Sequence, residues 1–513
     1  MHYTLFLPFR TMCFVPDHYS IIMDKAIRLS KEGNQVDVIT CDGHFINTCY
    51  YNYNRNTKVC KQCLRFKNYF LKHLPDTQRI TFYSVADLVD VQKDYSDIRK
   101  IQYNNVDDIK RIEYHHAKIG YAALSCYLSM SRNLFPLIDE EFRSFFNNML
   151  VTGAKVTDVV ESVIERIHPD YMCMFNSRYV YSRPVVDLCK FHHIPFISYE
   201  IGFDSDNFIL RKEFINSETH DIETNTKMIN DLWDKSPLSE REKVALASQF
   251  FYKRRHKIAS GDKVYTSGQT QGLMPTDWDK SKHNVVIFNS SEDEFAALGD
   301  TYSSMFLFPS QYQGIKYILE HFHGNEKFHF YLRIHPNLKD IPYAYHKRLY
   351  DFEKYDNVTI IPGSSKISTY ALMDNADKVI VFGSTTGIEA AVAHKPVILL
   401  GCSLYRFLDV AYIANSKQEL NDLINDFNLQ PKNDLGAYKL AYYFMNDEFE
   451  KLVYIIGHKK KTIKLFGKQI IITKSSIKGV WSSKFIIPFF EALGKYSWMK
   501  SNHSFPQKES FNP

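Results

Sequence analysis

The sequence predicts an α/β protein with two lobes, each a Rossmann-like parallel β-sheet flanked by helices. Three observations support this fold class. The chain has 513 residues, which is long for a single domain. Short apolar segments alternate with amphipathic helical patterns in both halves, as is typical of a parallel sheet. A polar helical stretch without a strand pattern, residues 218–275, connects the two halves.

The first lobe, residues 1–217, contains repeated strand and helix patterns. An apolar segment predicts the first strand, a helical pattern follows and ends at Gly33, and a second strand begins directly after it. These segments are MHYTLFLPF, DHYSIIMDKAIRLSKEGN and QVDVITC. Helix and strand patterns recur in VTDVVESVIERIHPDYMCMFN and RPVVDLCKFHHIPFISYEIG. Units of this kind place their strands parallel to one another.

The second lobe, residues 276–445, repeats the alternation. Its predicted strands lie in NVVIFNSS, FHFYLRIHPN, VTIIPG, KVIVFGS and PVILLG. Ligands of parallel sheets bind beyond the carboxyl ends of the strands. We therefore expect the binding site at these strand ends, in a cleft between the lobes. Residues 446–513 follow as a basic C-terminal extension.

A small polar turn joins the strand KVIVFGS to the next helix. Backbone N–H groups and a helix N-terminus can bind an anion at such a turn, and Ser384, Thr385 and Thr386 add hydroxyl groups. Gly387 would let a ligand approach the backbone. A helix N-cap alone is the alternative interpretation, because Ser and Thr cap helices routinely.

Two other strand ends of the second lobe carry polar residues. Pro336 keeps His335 extended at the tip of its strand, from where His335 and Arg333 could bind a phosphate. Ser290 and Ser291 follow the first strand of this lobe and would face the same ligand. The alternatives are a histidine that packs against a loop and a pair of serines that only cap a helix.

The ordered motifs resemble bacterial capsule and surface-polysaccharide glycosyltransferases of the two-lobed GT-B architecture. The resemblance covers most of residues 1–445 and rests on FNSSEDEF, RIHPN, SSKISTYALMDNADKVIVFGSTTGIEAAVAHKPVI, FNSRYVYSRPVVDLC and ISYEIG. The pair His335-Pro336 resembles the His-Pro element of transferases that use CMP-sugars, where it contacts the nucleotide phosphate. The second-lobe pattern is also similar to polymerases that transfer glycerol phosphate from CDP-glycerol.

This resemblance implies that the second lobe binds a nucleotide-sugar donor and the first lobe binds the acceptor. At the matching positions, His335, Ser384, Thr385 and Thr386 would hold the donor phosphate. Glu389 would reach hydroxyl groups of the ribose or the sugar, although a helix glutamate is often only solvated. Asn176 and Arg178, at a strand end of the first lobe, could bind the acceptor.

Sugar transfer with inversion needs a group that takes the proton of the acceptor hydroxyl. We predict Glu200 as this base, at the end of the next strand, with His335 as the second catalytic residue. The alternative bases are His18, which is also a candidate for acceptor binding, Asp17, and the pair His115-His116. Family members often carry His before this glutamate, whereas this chain has Tyr199. A structural pair between Glu200 and Arg178 is the other interpretation.

Arg333, His335 and helix termini could neutralise a phosphate without a metal, so we predict metal-independent transfer that requires no catalytic cofactor. The spacing of Asp204 and Asp206 fits a metal motif, but both lie in an expected loop. Four cysteines lie close together and could close a structural zinc site, with His44 in reserve. They are Cys41, Cys49, Cys60 and Cys63. Reduced, partly buried thiols are the alternative.

Composition and charge exclude several classes of protein. With 45% apolar and 24% charged residues the chain is not disordered, and a net charge of +5 is too small to indicate nucleic-acid binding. From Lys451 onward there are 12 lysines and two acidic residues, which favours contact with an anionic membrane. Helices that pack back onto the first lobe are the alternative.

The expected location is cytoplasmic, with peripheral contact at the inner face of the plasma membrane. The sequence has no apolar run of the roughly 18 residues that a spanning helix needs, and Arg10 interrupts the short apolar start. The predicted function is transfer of a sugar from a nucleotide donor to a saccharide or lipid-linked acceptor in surface-polysaccharide assembly. The alternatives are a CDP-glycerol-type glycerophosphotransferase, a non-catalytic glycan-assembly subunit and a nucleotide-sugar epimerase.

Overall fold

A computed structural model of the chain describes residues 1–7, 16–45, 57, 60–61, 64, 68, 79–201, 210–258, 265–294, 296–445, 450–465, 468–477 and 508–510. The chain divides into two compact units. The first comprises Met1–Ser131, Pro136–Thr219 and Asp447–Ser510. The second comprises Arg132–Phe135, His220–Asn446 and Phe511–Pro513. The helices of the predicted connection therefore belong to the second unit, and residues from the C-terminal extension belong to the first.

The first unit is built on a seven-stranded sheet. Its strands are β1 (His2–Leu7), β2 (Gln35–Thr40), β3 (Ile80–Ser84), β4 (Tyr171–Phe175), β5 (Phe196–Ile201), β6 (Leu210–Ile215) and β13 (Glu450–Lys451). Their order in the sheet is β13-β6-β5-β4-β1-β2-β3. The neighbours from β5 to β3 pair in parallel, while β6 and β13 add antiparallel strands at one edge.

The helices of the first unit bury apolar faces beside this sheet. They include α1 (Pro16–Lys31), α2 (Val85–Leu88), α3 (Ser96–Arg99), α4 (Val106–Lys110), α5 (Ile119–Ser131), α6 (Glu140–Ile167) and α7 (Arg183–Phe191). The long helix α6 begins where the Asp139 side chain accepts from the N–H of Phe142, and it ends at His168 in the left-handed conformation. Residues of α1, including Ile21, Ile22 and Ala26, pack in one core with β1 and β2.

The second unit is built on a six-stranded sheet. Its strands are β7 (His283–Phe288), β8 (Phe328–Arg333), β9 (Val358–Ile361), β10 (Lys378–Val381), β11 (Val397–Leu399) and β12 (Tyr412–Ile413). Their order is β12-β11-β10-β7-β8-β9, and every pairing is parallel. β8 and β10 are buried along their whole length, as expected for central parallel strands that helices cover on both faces.

Helices surround this second sheet. They include α8 (Ile222–Lys235), α9 (Glu240–Arg255), α10 (Asp300–Ser303), α11 (Gln311–His321), α12 (Ala344–Lys347), α13 (Thr369–Asn375), α14 (Thr386–Val392), α15 (Lys417–Asn425) and α16 (Leu435–Met445). Helices α8 and α9 pack against α16. Short 3-10 helices cover Glu292–Glu294, Pro336–Leu338 and Arg348–Lys354. None of the helices in these described ranges is long and apolar enough to span a bilayer.

Two α/β sheets, one parallel throughout and one parallel except at one edge, confirm the predicted fold class. The strand segments predicted from the alternation all contain strands, and the polar stretch after residue 218 forms helices as expected. The sequence pattern missed β3 and β12, which are edge strands of the two sheets, and the antiparallel strands β6 and β13. It also missed a hairpin of two long strands, β14 (Ile455–Leu465) and β15 (Lys468–Ile477), which forms a separate sheet.

Candidate functional site

A cavity of about 270 Å³ lies in the second unit, beyond the carboxyl ends of three adjacent strands. Residues at or just after the ends of β7, β8 and β10 form one side of it: Asn289, Ser290, Ser291, Arg333, His335, Pro336, Gly383, Ser384, Thr385 and Thr386. Residues from α9, α13 and α14 and from the segment after α9 complete the lining, among them Arg254, Tyr265, Gln269, Tyr370 and Glu389. The strand order β10-β7-β8 thus brings together polar residues that lie about a hundred positions apart in the sequence.

His335 enters the cavity as a neutral hydrogen-bond donor. Its backbone is extended, as Pro336 requires, and its backbone N–H donates to Oδ1 of Asn289 over 2.7 Å. Its ring Nδ1 accepts from the backbone N–H of Asn337 over 3.1 Å, which assigns the ring proton to Nε2. Burial, and then the nearby arginine charges, lower the pKa of His335 to about 4. The ring is therefore uncharged at neutral pH, with an N–H available to an anion.

Arg333, the last residue of β8, is a buried cation without a matching anion. Its side chain is among the largest buried ones, at 2% exposed. Nη1 donates to the carbonyl of Pro362 and Nη2 to that of Ser365. Nε has no hydrogen-bond partner, and no ion pair joins Arg333 to a carboxylate in the part of the chain that the structure describes. Burial lowers the pKa of Arg333 to about 10, so it stays charged at neutral pH.

The hydroxyl groups of the two serines after β7 differ in their hydrogen bonds. The Ser290 hydroxyl donates to the carbonyl of Phe382 and accepts from Nε2 of Gln311, so the protein itself satisfies it. The Ser291 hydroxyl accepts from Nδ2 of Asn337 and from Nη2 of Arg132, which leaves its own proton for a ligand. Ser291 is thus better placed than Ser290 to contact a bound anion.

Arg132 holds this edge of the cavity in place, a role that no motif of the sequence indicated. It comes from the four-residue segment Arg132–Phe135, which belongs to the second unit. Its guanidinium forms a two-bond ion pair with Asp293, at 2.8 and 3.1 Å. It also donates to the carbonyl of Asn337. Arg132 therefore ties the loop after β7 to the loop that carries His335.

The turn after β10 is shaped by close backbone contacts. Gly383 has φ of 114°, and a Cβ there would lie 2.5 Å from the carbonyl oxygen of Cys402. The Ser384 hydroxyl accepts from the backbone N–H and the hydroxyl of Thr386. A Cβ on Gly387 would lie 2.3 Å from the Tyr405 hydroxyl. The missing side chain of Gly387 thus makes room for Tyr405, whereas the sequence suggested room for a ligand.

Glu389, which is buried, and Arg254, whose side chain is 19% exposed, form an ion pair in the wall of the cavity. Arg254 Nε donates to Oε1 of Glu389 over 3.0 Å, and its Nη2 donates to the Thr385 hydroxyl over 3.1 Å. The Tyr370 hydroxyl donates to Oε2 of Glu389 over 2.7 Å. Both oxygens of the predicted sugar-binding carboxylate are thus already engaged by the protein. Because this pair is internally neutral, Arg333 is, among the described residues that line the cavity, the cation whose charge is not balanced.

The first-unit candidates lie at the ends of β4 and β5. Asn176, in the left-handed conformation with φ of 54°, donates from Nδ2 to Oε2 of Glu200 over 2.8 Å. Glu200 pairs across the sheet with Lys212 of β6. Burial lowers the pKa of Lys212 to about 7, against the opposing charge of Glu200. Arg178 donates to the hydroxyl of Tyr179 over 2.8 Å.

The remaining candidates are placed only in part. His18 lies in α1, but its side chain is outside the description. His115 and His116 stack on Tyr114 and Phe191 in another groove of the first unit. The segment with Asp204 and Asp206 lies outside the described residues.

The predicted zinc site also cannot be followed as a whole. Cys41 and Cys60 are partly buried, whereas Cys49 and Cys63 fall outside the described residues. Within the described ranges, no group of His, Cys, Asp and Glu is arranged to hold a metal ion. The four-cysteine zinc site stays a prediction.

Comparison with known proteins gives one family match. Residues 301–422 match the family described as "Capsule polysaccharide biosynthesis protein". The matched segment contains β8 to β12 and, with them, His335 and the turn at Ser384. Among curated proteins, no sequence matches this chain.

Solved structures add distant similarities. The chain is similar to a Thermosulfurimonas dismutans KpsC, beta Kdo 2,4 transferase, with 12% identity and a TM-score of 0.34 over 62% of this chain and 86% of that one. A KpsC beta Kdo 2,7 transferase of the same organism has 13% identity and a TM-score of 0.32 over 66% of this chain and 89% of its own. A UDP-GlcNAc 2-epimerase from Neisseria meningitidis has 13% identity and a TM-score of 0.24 over 88% of this chain and 95% of its own. At these TM-scores the similarities carry no argument about activity.

Proposed function

We propose that this protein is a glycosyltransferase of capsule or surface-polysaccharide biosynthesis that uses a nucleotide-sugar donor. The observation that carries the proposal is the unbalanced charge of Arg333, buried in a cavity that also presents the Nε2–H of His335. A buried charge without a partner is costly, and a phosphate would supply the missing negative charge. The family match over residues 301–422 supports the polysaccharide context.

In the proposed reaction, the cavity residues bind and stabilise the donor phosphate. Arg333 supplies a full positive charge, while neutral His335 and the hydroxyls of Ser291 and Ser384 supply hydrogen bonds. When the bond between the sugar and the phosphate oxygen breaks, the electron pair stays on the nucleotide. Preorganised donors of this kind act most strongly on that developing charge. In this reaction His335 stabilises the phosphate of the leaving nucleotide as a hydrogen-bond donor.

We propose Glu200, in the first unit, as the base for the acceptor hydroxyl. The carboxylate takes the hydroxyl proton, the acceptor oxygen forms the new bond to the anomeric carbon, and a single displacement inverts that centre. The hydrogen bond from Asn176 fixes one of its oxygens. We further propose that transfer is metal-independent, because Arg333 and the hydrogen-bond donors around it would neutralise the phosphate. Nucleotide sugars are cytoplasmic substrates, and we propose that location for the enzyme.

The test is turnover of donors followed by mass spectrometry. Purified protein is incubated with nucleotide sugars and with CDP-glycerol, each with and without a saccharide or lipid-linked acceptor fraction, in the presence of EDTA. The proposal predicts release of the nucleotide and a product that gains one sugar. Transfer of glycerol phosphate from CDP-glycerol, or an isomerised donor without any acceptor, would instead assign one of the alternative activities.

Variants of Arg333 connect turnover to the cavity. Arg333→Lys keeps the charge but loses the planar fork of donors, so we expect turnover to fall by about 10- to 100-fold, as for loss of one or two charge-assisted hydrogen bonds. Arg241→Lys, at an exposed position of α9, is the matched control and should leave turnover unchanged. No turnover of any donor by folded wild-type protein would favour a non-catalytic assembly subunit.

A further inference from the structure

Gln269 is a buried amide in the wall of the cavity, and the proposed phosphate contacts do not use it. It lies in the segment after α9 and lines the cavity with its side chain only 8% exposed. Within the part of the chain that the structure describes, its Nε2 has no hydrogen-bond partner. Buried donors are nearly always paired, because leaving one unpaired costs free energy. A ligand in the cavity would supply the missing acceptor.

The protein fixes the direction of this amide. Oε1 of Gln269 accepts from the backbone N–H of Thr369 over 2.8 Å. Because an N–H can only donate, this bond identifies the oxygen and leaves the NH2 group as the unpaired end of the amide. The backbone is anchored as well: the carbonyl of Gln269 accepts from Nζ of Lys257 over 2.6 Å, and the N–H of Thr270 donates to the carbonyl of Lys366 over 2.8 Å. The donor is therefore held in place before a ligand binds.

The cavity wall that carries Gln269 also offers apolar surface. Ile258 lines the same cavity and is 43% exposed. The ring of Tyr265 lines it too and packs edge-on against the ring of His335, with 4.8 Å between the ring centroids. Apolar and aromatic side chains with a few fixed polar groups are typical of sites for small organic ligands. This wall therefore suits an uncharged, flat group that carries a hydrogen-bond acceptor.

A nucleobase fits this description better than a sugar does. A base has an apolar face, and its edge carries carbonyl or ring-nitrogen acceptors. A sugar presents mainly hydroxyl groups, which donate as well as accept, and the carboxylate on this wall, Glu389, already has both oxygens engaged. The phosphate charge is matched by Arg333 in the proposed reaction, so the uncharged donor of Gln269 is left for a neutral acceptor.

We propose that Gln269 determines which nucleobase the cavity accepts, by donating a hydrogen bond from Nε2 to an acceptor atom on the edge of the base. This inference rests on the proposed function, because it takes a nucleotide to be the ligand of the cavity. A base with an acceptor opposite Nε2 pairs with the amide. A base with an N–H or NH2 group at that place leaves two donors facing each other, and buried mismatches of this kind discriminate strongly.

The test compares nucleotides that differ only in their base, by isothermal titration calorimetry with the full-length protein. The ligands are CMP, UMP, GMP and AMP and the four matching diphosphates, so each series shares its ribose and phosphate groups. Wild type should prefer one base in both series. Gln269→Met keeps the approximate size of the side chain but has no donor. We expect its affinity for the preferred nucleotide to fall by about 10-fold, as for the loss of one hydrogen bond, and its affinities for the other bases to change by less than about 2-fold.

A second variant, Gln269→Glu, covers the case in which Gln269→Met does not fold. It keeps the shape of the side chain and an oxygen for the N–H of Thr369, but it replaces the donor with an acceptor. Its added negative charge weakens all nucleotides of a series alike, so the ratio of affinities between bases reports the contact with the base. We expect this ratio to fall by about 10-fold or more. Gln313→Met, at an exposed position of α11, is the matched control and should leave every affinity unchanged.

The possible results separate this inference from the function on which it rests. A folded wild type that binds none of these nucleotides would overturn both. Equal affinities of wild type for all bases, or losses in the Gln269 variants that are the same for every base, would overturn the role of Gln269 and leave the nucleotide site standing. A loss confined to the sugar conjugates of the nucleotides would also overturn it, because Nε2 would then contact the transferred sugar.

Discussion

The backbone N–H of Asn337 donates to ring Nδ1 of His335 over 3.1 Å, and this bond fixes which nitrogen of the histidine faces a ligand as a donor. Because Nδ1 accepts, the proton is on Nε2. Burial and the surrounding arginine charges keep the ring neutral. The local sequence His-Pro-Asn therefore determines the tautomer of its own histidine, since Pro336 holds the backbone extended and the N–H of Asn337 is the donor to Nδ1.

The lowered pKa of His335 makes folding stability depend on pH in a defined window. Its pKa falls from 6.5 to about 4 on folding. As the pH drops from 6.5 toward 4, the unfolded chain binds a proton that the folded protein does not, so stability is lost in this range. The full shift corresponds to about 3 kcal/mol. We expect wild type to lose more stability than His335→Gln when urea unfolding at pH 7 and pH 4.5 is compared.

The comparison with His335→Gln separates His335 from other histidines. Burial also lowers the pKa of His346 to about 4, and this residue is present in both proteins. The difference between the two pH dependences therefore reports His335 alone. Identical losses of stability in wild type and variant would show that the pKa of His335 is the same in the folded and the unfolded protein.

The ion pair of Arg254 and Glu389 should behave as a pair with one buried member. We expect Arg254→Met to lower the free energy of unfolding by about 3 kcal/mol, because it leaves the buried Glu389 carboxylate without its partner. Glu389→Gln should cost less, because Arg254 is partly exposed and water can solvate its charge. The double variant should lose less than the sum, with a coupling of about 1–3 kcal/mol in urea unfolding. Simple additivity would contradict a direct interaction.

A neighbouring pair provides the control for that cycle. Arg255 and Asp374 also form two hydrogen bonds, at 2.9 and 2.7 Å, but their side chains are 34% and 44% exposed. Water screens exposed pairs, so Asp374→Asn should change the free energy of unfolding by less than about 1 kcal/mol. Because Arg254 and Arg255 both lie in α9, the difference between the two pairs measures how burial changes the contribution of an ion pair to stability.

Gly387 tests whether the turn after β10 is shaped by packing or by a ligand. Gly387→Ala would place its Cβ against the Tyr405 hydroxyl, and we expect a loss of about 1–3 kcal/mol in thermal or urea unfolding. Gly268→Ala, at a position with nothing within 4 Å, is the control and should be tolerated. A Gly387→Ala protein with wild-type stability and no nucleotide binding would instead support a close approach of ligand to this glycine.

The sequence predicted β1, β2, β4, β5 and β7 to β11 because their apolar runs end in turn residues and alternate with amphipathic helices, and it missed β3, β12 and β13 as well as β6. The apolar pattern did not predict β6, because its segment LRKEFI carries three charged residues and pairs antiparallel at the edge of the sheet. For the site, residues at the strand ends, such as His335 and Ser384, were predictable. In a parallel sheet the carboxyl ends of neighbouring strands meet at one edge.

Arg132 and Arg254 were not predictable in the same way. Arg132 reaches Asp293 across 161 positions, and Arg254 reaches Thr385 across 131. No local pattern reports such contacts, because they depend on how helices dock on the finished sheet. The only signal was the run Lys253-Arg254-Arg255 at the end of a polar helix, which is equally typical of a solvated helix terminus.

The most direct measurement of the central claim is nucleotide binding by wild type, His335→Ala and His335→Gln. Thermal unfolding is followed with CMP, CDP, UDP, GDP and their sugar conjugates. A ligand at about 100 times its dissociation constant should stabilise wild type by about 2.7 kcal/mol. We predict stabilisation by one nucleotide class, lost in His335→Ala and largely kept in His335→Gln, whose amide retains a donor near Nε2. Folded wild type that responds to no nucleotide, or binding that survives in His335→Ala, would contradict the donor site.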